Sequence, residues 1–286
     1  MTRRKFLKIA AGVASVPLLT TTWGVVEACS FHVTEHTIAV PRLPKAFAGK
    51  TIALLTDIHH GPQNSLSFVR SIVETTNALQ PDLIALSGDF VQKGVDQLRP
   101  CLEVLSALRA PLGVFAVPGN HDMTEGGAPA RRTMTEFGIA DLTNRGRWVE
   151  TGDGRIRLSG VDDLWWGKPD PVKALAGVSE EETVILLAHN PDLVETLTDS
   201  RIGLVLSGHM HGGQIYLPGI GAPWLPSKYG QKYIHGLVQG PVAQVFVSGG
   251  LGTVGLPMRI NSRPEINLLT LVPKEIEKNS RTVRTS

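Results

Sequence analysis

The chain has 286 residues, 42% of them hydrophobic and 19% charged, which is enough apolar material for a sizeable core and excludes disordered, collagen-like and disulfide-scaffold classes. Thirty glycines and nineteen prolines, scattered along the chain, predict many turns between short elements, as in α/β or all-β architecture and not in a helical bundle. The net charge of +2 gives no basic face for nucleic acid: Arg3, Arg4, Lys5 and Lys8 outweigh Glu27 within residues 1–28, and the remainder is slightly acidic.

Residues 1–28 read as an export signal or a membrane anchor. The head Thr2-Arg3-Arg4-Lys5-Phe6-Leu7-Lys8 precedes an apolar stretch, Ile9 to Val26, that ends at Glu27-Ala28. An arginine pair before Phe-Leu-Lys resembles the twin-arginine signal, which implies the twin-arginine export machinery as a partner and the periplasm or cell envelope as the destination. Two other readings stand beside cleavage. Residues 5–26 could be retained as an anchor, although Ile9–Val26 only just reaches the length that spans a bilayer and is broken by Pro17 and threonines. The segment could also be an ordinary amphipathic first helix. Cys29, directly after Ala28, raises lipid modification, for which Val26 and Glu27 are a poor match. Cys101 falls in an apolar helical pattern and reads as packing.

Residues 29–48 hold a strand, Phe31–Val40, and a connection into a single domain over 49–273. Within that domain short apolar runs predict strands at Thr51–Thr56, Leu83–Ser87, Gly113–Val117, Ile156–Val161, Val184–Ala188, Leu204–Ser207, Val242–Ser248 and Ile266–Val272. Helical spacing places one helix over Leu66 to Leu79 and another over Leu98 to Leu108. Asn190-Pro191-Asp192 reads as a cap opening a third helix through Leu197. Alternating units with unbroken apolar strands predict an α/β fold with buried sheets. Residues 274–286 are a polar tail.

Five of the predicted strands stop on groups that bind metals. These are Asp57-Ile58-His59, Gly88-Asp89, Gly119-Asn120-His121-Asp122, His189-Asn190 and Gly208-His209-Met210-His211. The carboxyl edge of parallel strands is where ligands bind, so five loops spread over the chain can meet in space. Singly, Asp-x-His or Gly-Asp is a capped turn and two histidines are loop residues; five together at strand ends do not read as packing. Two carboxylates, an amide oxygen and four imidazoles, without thiolate, suit Mn, Fe, Zn or Ni. Seven ligands exceed what one ion uses; with Asp89 bridging they divide into four per ion, and a pair of divalent ions makes a hydrolytic centre.

The series D-x-H, G-D, G-N-H-D, H and G-H-x-H resembles that of the calcineurin-like metallophosphoesterases, with every position filled across 49–273. The resemblance implies a four-layer αββα sandwich of two mixed sheets. It implies one metal on Asp57, His59, Asp89 and His211 and the other on Asp89, Asn120, His189 and His209, with Mn supporting activity in vitro. It also implies that His121 is catalytic, facing the scissile phosphate without binding metal, its positive charge favoured by Asp122.

The Gly212-Gly213-Gln214 extension, with the twin-arginine head, resembles the exported bacterial phosphodiesterase branch of that family. The expected activity is two-metal hydrolysis of phosphoesters, chiefly phosphodiesters, by a monomer. A pyrophosphatase acting on a sugar-nucleotide lipid precursor is the alternative within the enzyme class, and a catalytically silent metal-binding scaffold the alternative outside it. Trp165-Trp166 and the Trp224–Tyr233 stretch could line a pocket for the leaving group, touch a lipid surface, or be local packing. Lys168, Lys228, Lys232 and Arg259 are candidates for a second phosphate contact or for solvated surface; His60 and His235 have no assigned role.

Overall fold

The computed structural model describes residues 21–274. The head Thr2–Lys8, most of the apolar stretch after it and the tail beyond Lys274 lie outside the described residues. In chain order the elements are β1 (His32–Val40), β2 (Thr51–Leu55), α1 (Leu66–Ala78), β3 (Leu83–Leu86), α2 (Val95–Leu105), β4 (Val114–Ala116), α3 (Ala128–Glu136) and β5 (Ala140–Asp141). There follow β6 (Arg145–Thr151), β7 (Gly154–Gly160), α4 (Pro171–Ala174), β8 (Val184–Leu187), β9 (Ile202–Ser207), β10 (Gly236–Gln239), β11 (Gln244–Val247) and β12 (Glu265–Pro273).

They form two six-stranded sheets, ordered β1-β12-β2-β3-β4-β5 and β10-β11-β9-β8-β7-β6. In the first, β2 to β5 run parallel and β12 is antiparallel to β2. In the second, β7, β8, β9 and β11 run parallel between antiparallel edges β6 and β10. Both sheets are mixed and helices flank them, an α/β architecture.

The alternation along each strand explains the layering. Ile52 and Leu54 of β2 meet Leu204 and Leu206 of β9 and Phe246 of β11 between the sheets, while Ala53 and Leu55 face outward onto α1 and α2. With both faces covered, the strands read as unbroken apolar runs. The outer face of the second sheet is covered thinly, by four-residue α4, by loops around Tyr233 and by a 3-10 turn over Pro191–Thr196. That turn stands where the third helix was expected: the Asn190 side chain accepts from the Asp192 amide as a cap does, but the segment leaves helical geometry at Leu197.

Strands β5, β6 and β10 and helices α3 and α4 escaped the apolar pattern. Strand β6 is an edge in which Val149 alone is buried, and its Trp148 lies under the Arg155 and Arg157 guanidiniums, 4.2 and 5.2 Å from the ring centre. Helix α3 buries only Pro129, Ala130 and Met134, and β10 is a short partly exposed edge.

The described chain begins in a helix over 21–28, docked on the loop before β12. The Arg259 amide donates to the Gly24 carbonyl at 2.9 Å and the Ser262 amide to Glu27 Oε1 at 2.8 Å. Among the described residues no helix is long and apolar enough to cross a membrane.

Candidate metal centre

The ends of β2, β3 and β4 in one sheet and of β8 and β9 in the other meet at one edge of the sandwich, and each delivers the groups its motif contains. The Asp57 amide donates to the Gly88 carbonyl, the Gly208 amide to the His189 carbonyl, and the His209 amide crosses between sheets to Asp57 Oδ2 at 2.9 Å. Two glycines make the approach possible. Gly88, at φ +88°, would drive a Cβ into the backbone of Gly119, and a Cβ on Gly208 would strike Thr56 Oγ1 and Asp57 Oδ2. Asp57, His59, Asp89, His209 and His211 all hold left-handed backbone conformations, with φ between 48 and 70°. For residues with a Cβ each such position costs roughly 1–2 kcal/mol, and such strain concentrates at functional sites.

The side chains fall into two sets that share one atom. His189 donates from Nδ1 to the Ser87 carbonyl at 2.8 Å, so in the neutral ring Nε2 carries a lone pair. That lone pair faces Asn120 Oδ1, Asp89 Oδ2 and His209 Nδ1, each at 3.2 Å. In the other set His59 Nε2 stands 3.1 Å from His211 Nε2, 3.4 Å from Asp89 Oδ2 and 3.7 Å from Asp57 Oδ1, and His211 Nε2 is 3.3 Å from Asp57 Oδ1. Asp57 Oδ1 is buried and has no hydrogen-bond partner.

Donors are too few for these acceptors: Asp57 Oδ1 has none, and although burial pushes the His189 ring down, the Asp89 carboxylate outweighs it and carries the ring up to about 10, so a cation at each focus would supply the missing positive charge. The seven residues expected to be ligands are therefore brought together as two groups, with Asp89 Oδ2 common to both, and the donor set of N and O atoms fits divalent ions. Grouped by proximity alone, Asp57, His59 and His211 form one cluster and Asp89, His189 and His209 another, while His121 also lies within ligand reach of His59 and Asp89.

Electrostatics follow from the same crowding. Burial pushes the Asp57 carboxyl up, but the His211 and His59 imidazoles outweigh it and hold the group well below the usual carboxylate range. Burial pushes His209 down to about 3 and His211 down to about 4, so both rings are neutral, as metal ligands must be.

His121 is half-buried beside this centre. Its amide donates to Asp89 Oδ1 at 2.8 Å, and its Nδ1 donates to the Gln92 carbonyl at 2.6 Å, which leaves Nε2 as the nitrogen free for substrate. Gln92 had no sequence signal, because the group used is a backbone carbonyl. Asp122 does not play the expected part. Both its oxygens accept from backbone amides, of Phe90, Val91 and Gly119, and burial with the Asp89 charge pushes it up to about 8. It ties two ligand loops together.

A cavity of about 460 Å³ opens over these groups, walled by Trp165, Ile215, Pro223, Trp224, Val254 and Leu256. Trp165 also packs edge-on against His209, ring centres 4.4 Å apart. Gln214 staples the wall: its side chain donates to the Val254 and Leu256 carbonyls and accepts from the Val254 amide. Gly212 and Gly213 lie in the 3-10 turn that starts at His211, not in a hairpin.

Two of the four expected phosphate cations are otherwise engaged. Arg259 is fully buried, and its guanidinium donates to the carbonyls of Gly249, Gly252, Ser262 and His211, behind the ligand loop instead of toward a substrate. Lys232 pairs with Glu195 at 2.5 Å. Lys168 and Lys228 are exposed. His60 bonds the Asn64 carbonyl, His235 bonds Glu265, and Cys101 packs in the core with Sγ near the Phe90 carbonyl.

The sequence profile of the calcineurin-like phosphoesterases matches residues 50–213. The chain is 34% identical over 280 residues to YkuE of Bacillus subtilis, an uncharacterized metallophosphoesterase, with 95% of this chain and 98% of that one covered. It is 31% identical over 280 residues to the phosphodiesterase YaeI of Escherichia coli, covering 95% of this chain and all of the relative. It is also 35% identical over 256 residues to a transmembrane protein with a metallophosphoesterase domain from Danio rerio, of which it spans 57%. The chain belongs to the calcineurin-like phosphoesterase family and is a metal-dependent phosphoester hydrolase.

Proposed function

We propose that this calcineurin-like phosphoesterase hydrolyses phosphodiesters at the cell envelope, acting as a monomer. Asp57, His59, Asp89 and His211 hold one divalent ion, Asp89, Asn120, His189 and His209 hold the other, and His121 acts on the phosphoryl group. The observation that carries the reading is the position of Asp89 Oδ2, 3.4 Å from His59 Nε2 on one side and 3.2 Å from His189 Nε2 on the other. When bound, the ions supply Lewis acidity and a water acidified toward neutral pH.

The chain's own residues supply the rest. With Nδ1 donating to Gln92, His121 presents Nε2 to the cavity; protonated, it donates to a phosphoryl oxygen as charge builds there and passes that proton to the departing alkoxide. Among the described residues no lysine or arginine lines the cavity. That favours the single charge of a diester over the double charge of a monoester, and the apolar wall suits the second ester arm. The name of the relative YaeI agrees with this choice. The twin-arginine head supports export by the twin-arginine machinery, and the apolar stretch after it supports either release after cleavage or retention at the membrane.

The test is metal analysis together with hydrolysis of bis(p-nitrophenyl) phosphate and p-nitrophenyl phosphate, after stripping the protein and reloading it with Mn, Zn, Fe or Ni. The expected result is two ions per chain, a higher kcat/KM on the diester, and loss of both ions in Asp89→Asn. A single ion per chain, or preference for the monoester, overturns the reading.

A further inference from the structure

The rim of the metal-centre cavity is more apolar than a soluble substrate requires. Trp165, Trp224 and Leu256 line that cavity, and they are 45, 73 and 56% exposed. Trp166, next to Trp165, is 70% exposed, and so is Ile220, on the turn that precedes Trp224. Among the described residues nothing covers these large apolar side chains gathered around one opening, and such a patch marks an interaction surface.

The rim segments themselves bring only basic side chains, with Asp162 and Asp192 accepting from the Lys168 and Lys228 amides behind them. Those segments, 164–169, 219–232 and 250–260, contain no aspartate or glutamate. They contain Lys168 and Lys228, both exposed, while Lys232 pairs with Glu195 and Arg259 is buried. Exposed tryptophans interleaved with lysines are the pattern that seats in the headgroup layer of an anionic bilayer, rings at the interface and ammonium groups at the phosphates.

A second feature sets the orientation. The rim loop carrying Leu256 continues into Met258, Arg259 and Ile260, on which Gly24 of the 21–28 helix is packed. In that helix Trp23, Val25 and Val26 are 63, 40 and 56% exposed. The helix thus joins the body beside the mouth of the metal centre.

We propose that the mouth of the metal centre docks on the surface of an anionic phospholipid bilayer through Trp166, Trp224, Ile220 and Leu256 with Lys168 and Lys228. Rested on the diester-hydrolase reading, this makes the substrate an amphiphilic phosphodiester whose apolar arm passes along the Trp165, Trp224 and Leu256 wall. Docking itself requires no turnover.

The experiment mixes the full chain with vesicles of phosphatidylcholine, with and without phosphatidylglycerol, carrying brominated acyl chains, and reads quenching of tryptophan emission. Quenching is expected with phosphatidylglycerol present. The double variant W166F/W224F should lose most of it and W23F should retain most of it. Lys168→Ser with Lys228→Ser should remove its dependence on phosphatidylglycerol. Quenching that vanishes in W23F and persists in W166F/W224F places the contact in the N-terminal helix and overturns the proposal, as does the absence of quenching. Dimers in sedimentation that Trp166→Ser abolishes would assign the rim to a second copy of the chain and overturn it as well. A protein that is quenched as expected yet inactive on every diester refutes the hydrolase reading and leaves the docking intact.

Discussion

Arg259 is the most consequential residue outside the metal ligands, and replacing it tests how the second sheet's loops are held. Its guanidinium is wholly buried, with no carboxylate in contact, and burial pushes it down to about 10, so it stays charged at neutral pH. Five of its six hydrogen bonds go to carbonyls: Nε and Nη2 reach that of Gly252 at 3.1 and 2.6 Å, and Nη1 reaches those of Gly249, Ser262 and His211 at 2.8, 2.9 and 3.3 Å, while Nη2 also donates to His211 Nδ1 at 3.2 Å. The His211 carbonyl keeps other donors in Gln214 and Ser262. Arg259→Met therefore strands chiefly Gly249 and Gly252. At about 1–3 kcal/mol for each buried carbonyl left without a donor, less the relieved cost of burying a charge, the loss is about 3 kcal/mol. For a chain of this size that lowers the melting temperature by about 5 °C.

Because Arg259 also braces the His211 loop through the His211 and Ser262 carbonyls, the ion on the His59 and His211 side should bind more weakly while the His189 side keeps its own. Melting curves of stripped and reloaded protein, with metal titrations, measure both effects. Arg259→Lys, which keeps the charge but offers fewer donors, should fall between. If Arg259→Met melts within about 2 °C of wild type and keeps both ions, the guanidinium is not what holds these loops.

Two other outcomes follow from the same coordinates. His121→Ala should lower turnover of a diester by about 10²–10⁴ while two ions stay bound; loss of an ion would make His121 a ligand and remove its catalytic role. The His235–Glu265 pair, 2.7 Å apart, should make stability depend on pH in two opposite directions. Burial raises Glu265 and the His235 partner lowers it further, down to about 2, so its contribution is complete above about pH 4.5 and fades as pH falls toward 2. His235, raised by its bond to Glu265, contributes fully below about pH 6.5 and loses that contribution as pH climbs through its raised value. Urea midpoints of Glu265→Gln relative to wild type should differ most between these limits; a difference independent of pH refutes the pairing.

The metal-binding constellation was legible because its residues are rare in such company and end apolar runs. The strands were legible because burial on both faces leaves Leu83–Leu86 or Val184–Leu187 no polar position to blur the pattern. What escaped had weaker burial. Arg145–Thr151 hides one buried valine among charges, and its tryptophan is satisfied by two arginines, which no periodicity reveals. Arg259 is neither a phosphate contact nor solvated surface, the two readings its sequence position offers, because its partners are backbone carbonyls that leave no trace in the sequence. The carbonyl that orients His121 is silent for the same reason. Asp122 looked like a charge partner by adjacency, but its neighbours in space are three amides.

The two sheets contribute different chemistry to one edge, and that division explains why neither could build the centre alone. The first sheet brings Asp57, His59, Asp89 and Asn120, the second His189, His209 and His211, and the crossing bond from the His209 amide to Asp57 Oδ2 fixes the offset between them. The seam cannot be relaxed by side-chain movement, because the ligands stand on left-handed backbone and on glycine contacts too close for a Cβ. Metal-free, the seam leaves Asp57 Oδ1 without a donor; an ion held by the same atoms would cross-link the sheets, so ion binding would also contribute to stability. The apolar layer between the sheets, from Leu54 to Leu206 and Phe246, must therefore hold the edges in register before any ion arrives. A core able to collapse would let the imidazoles drift apart and the acceptors find water, and the affinity for two ions would go with them.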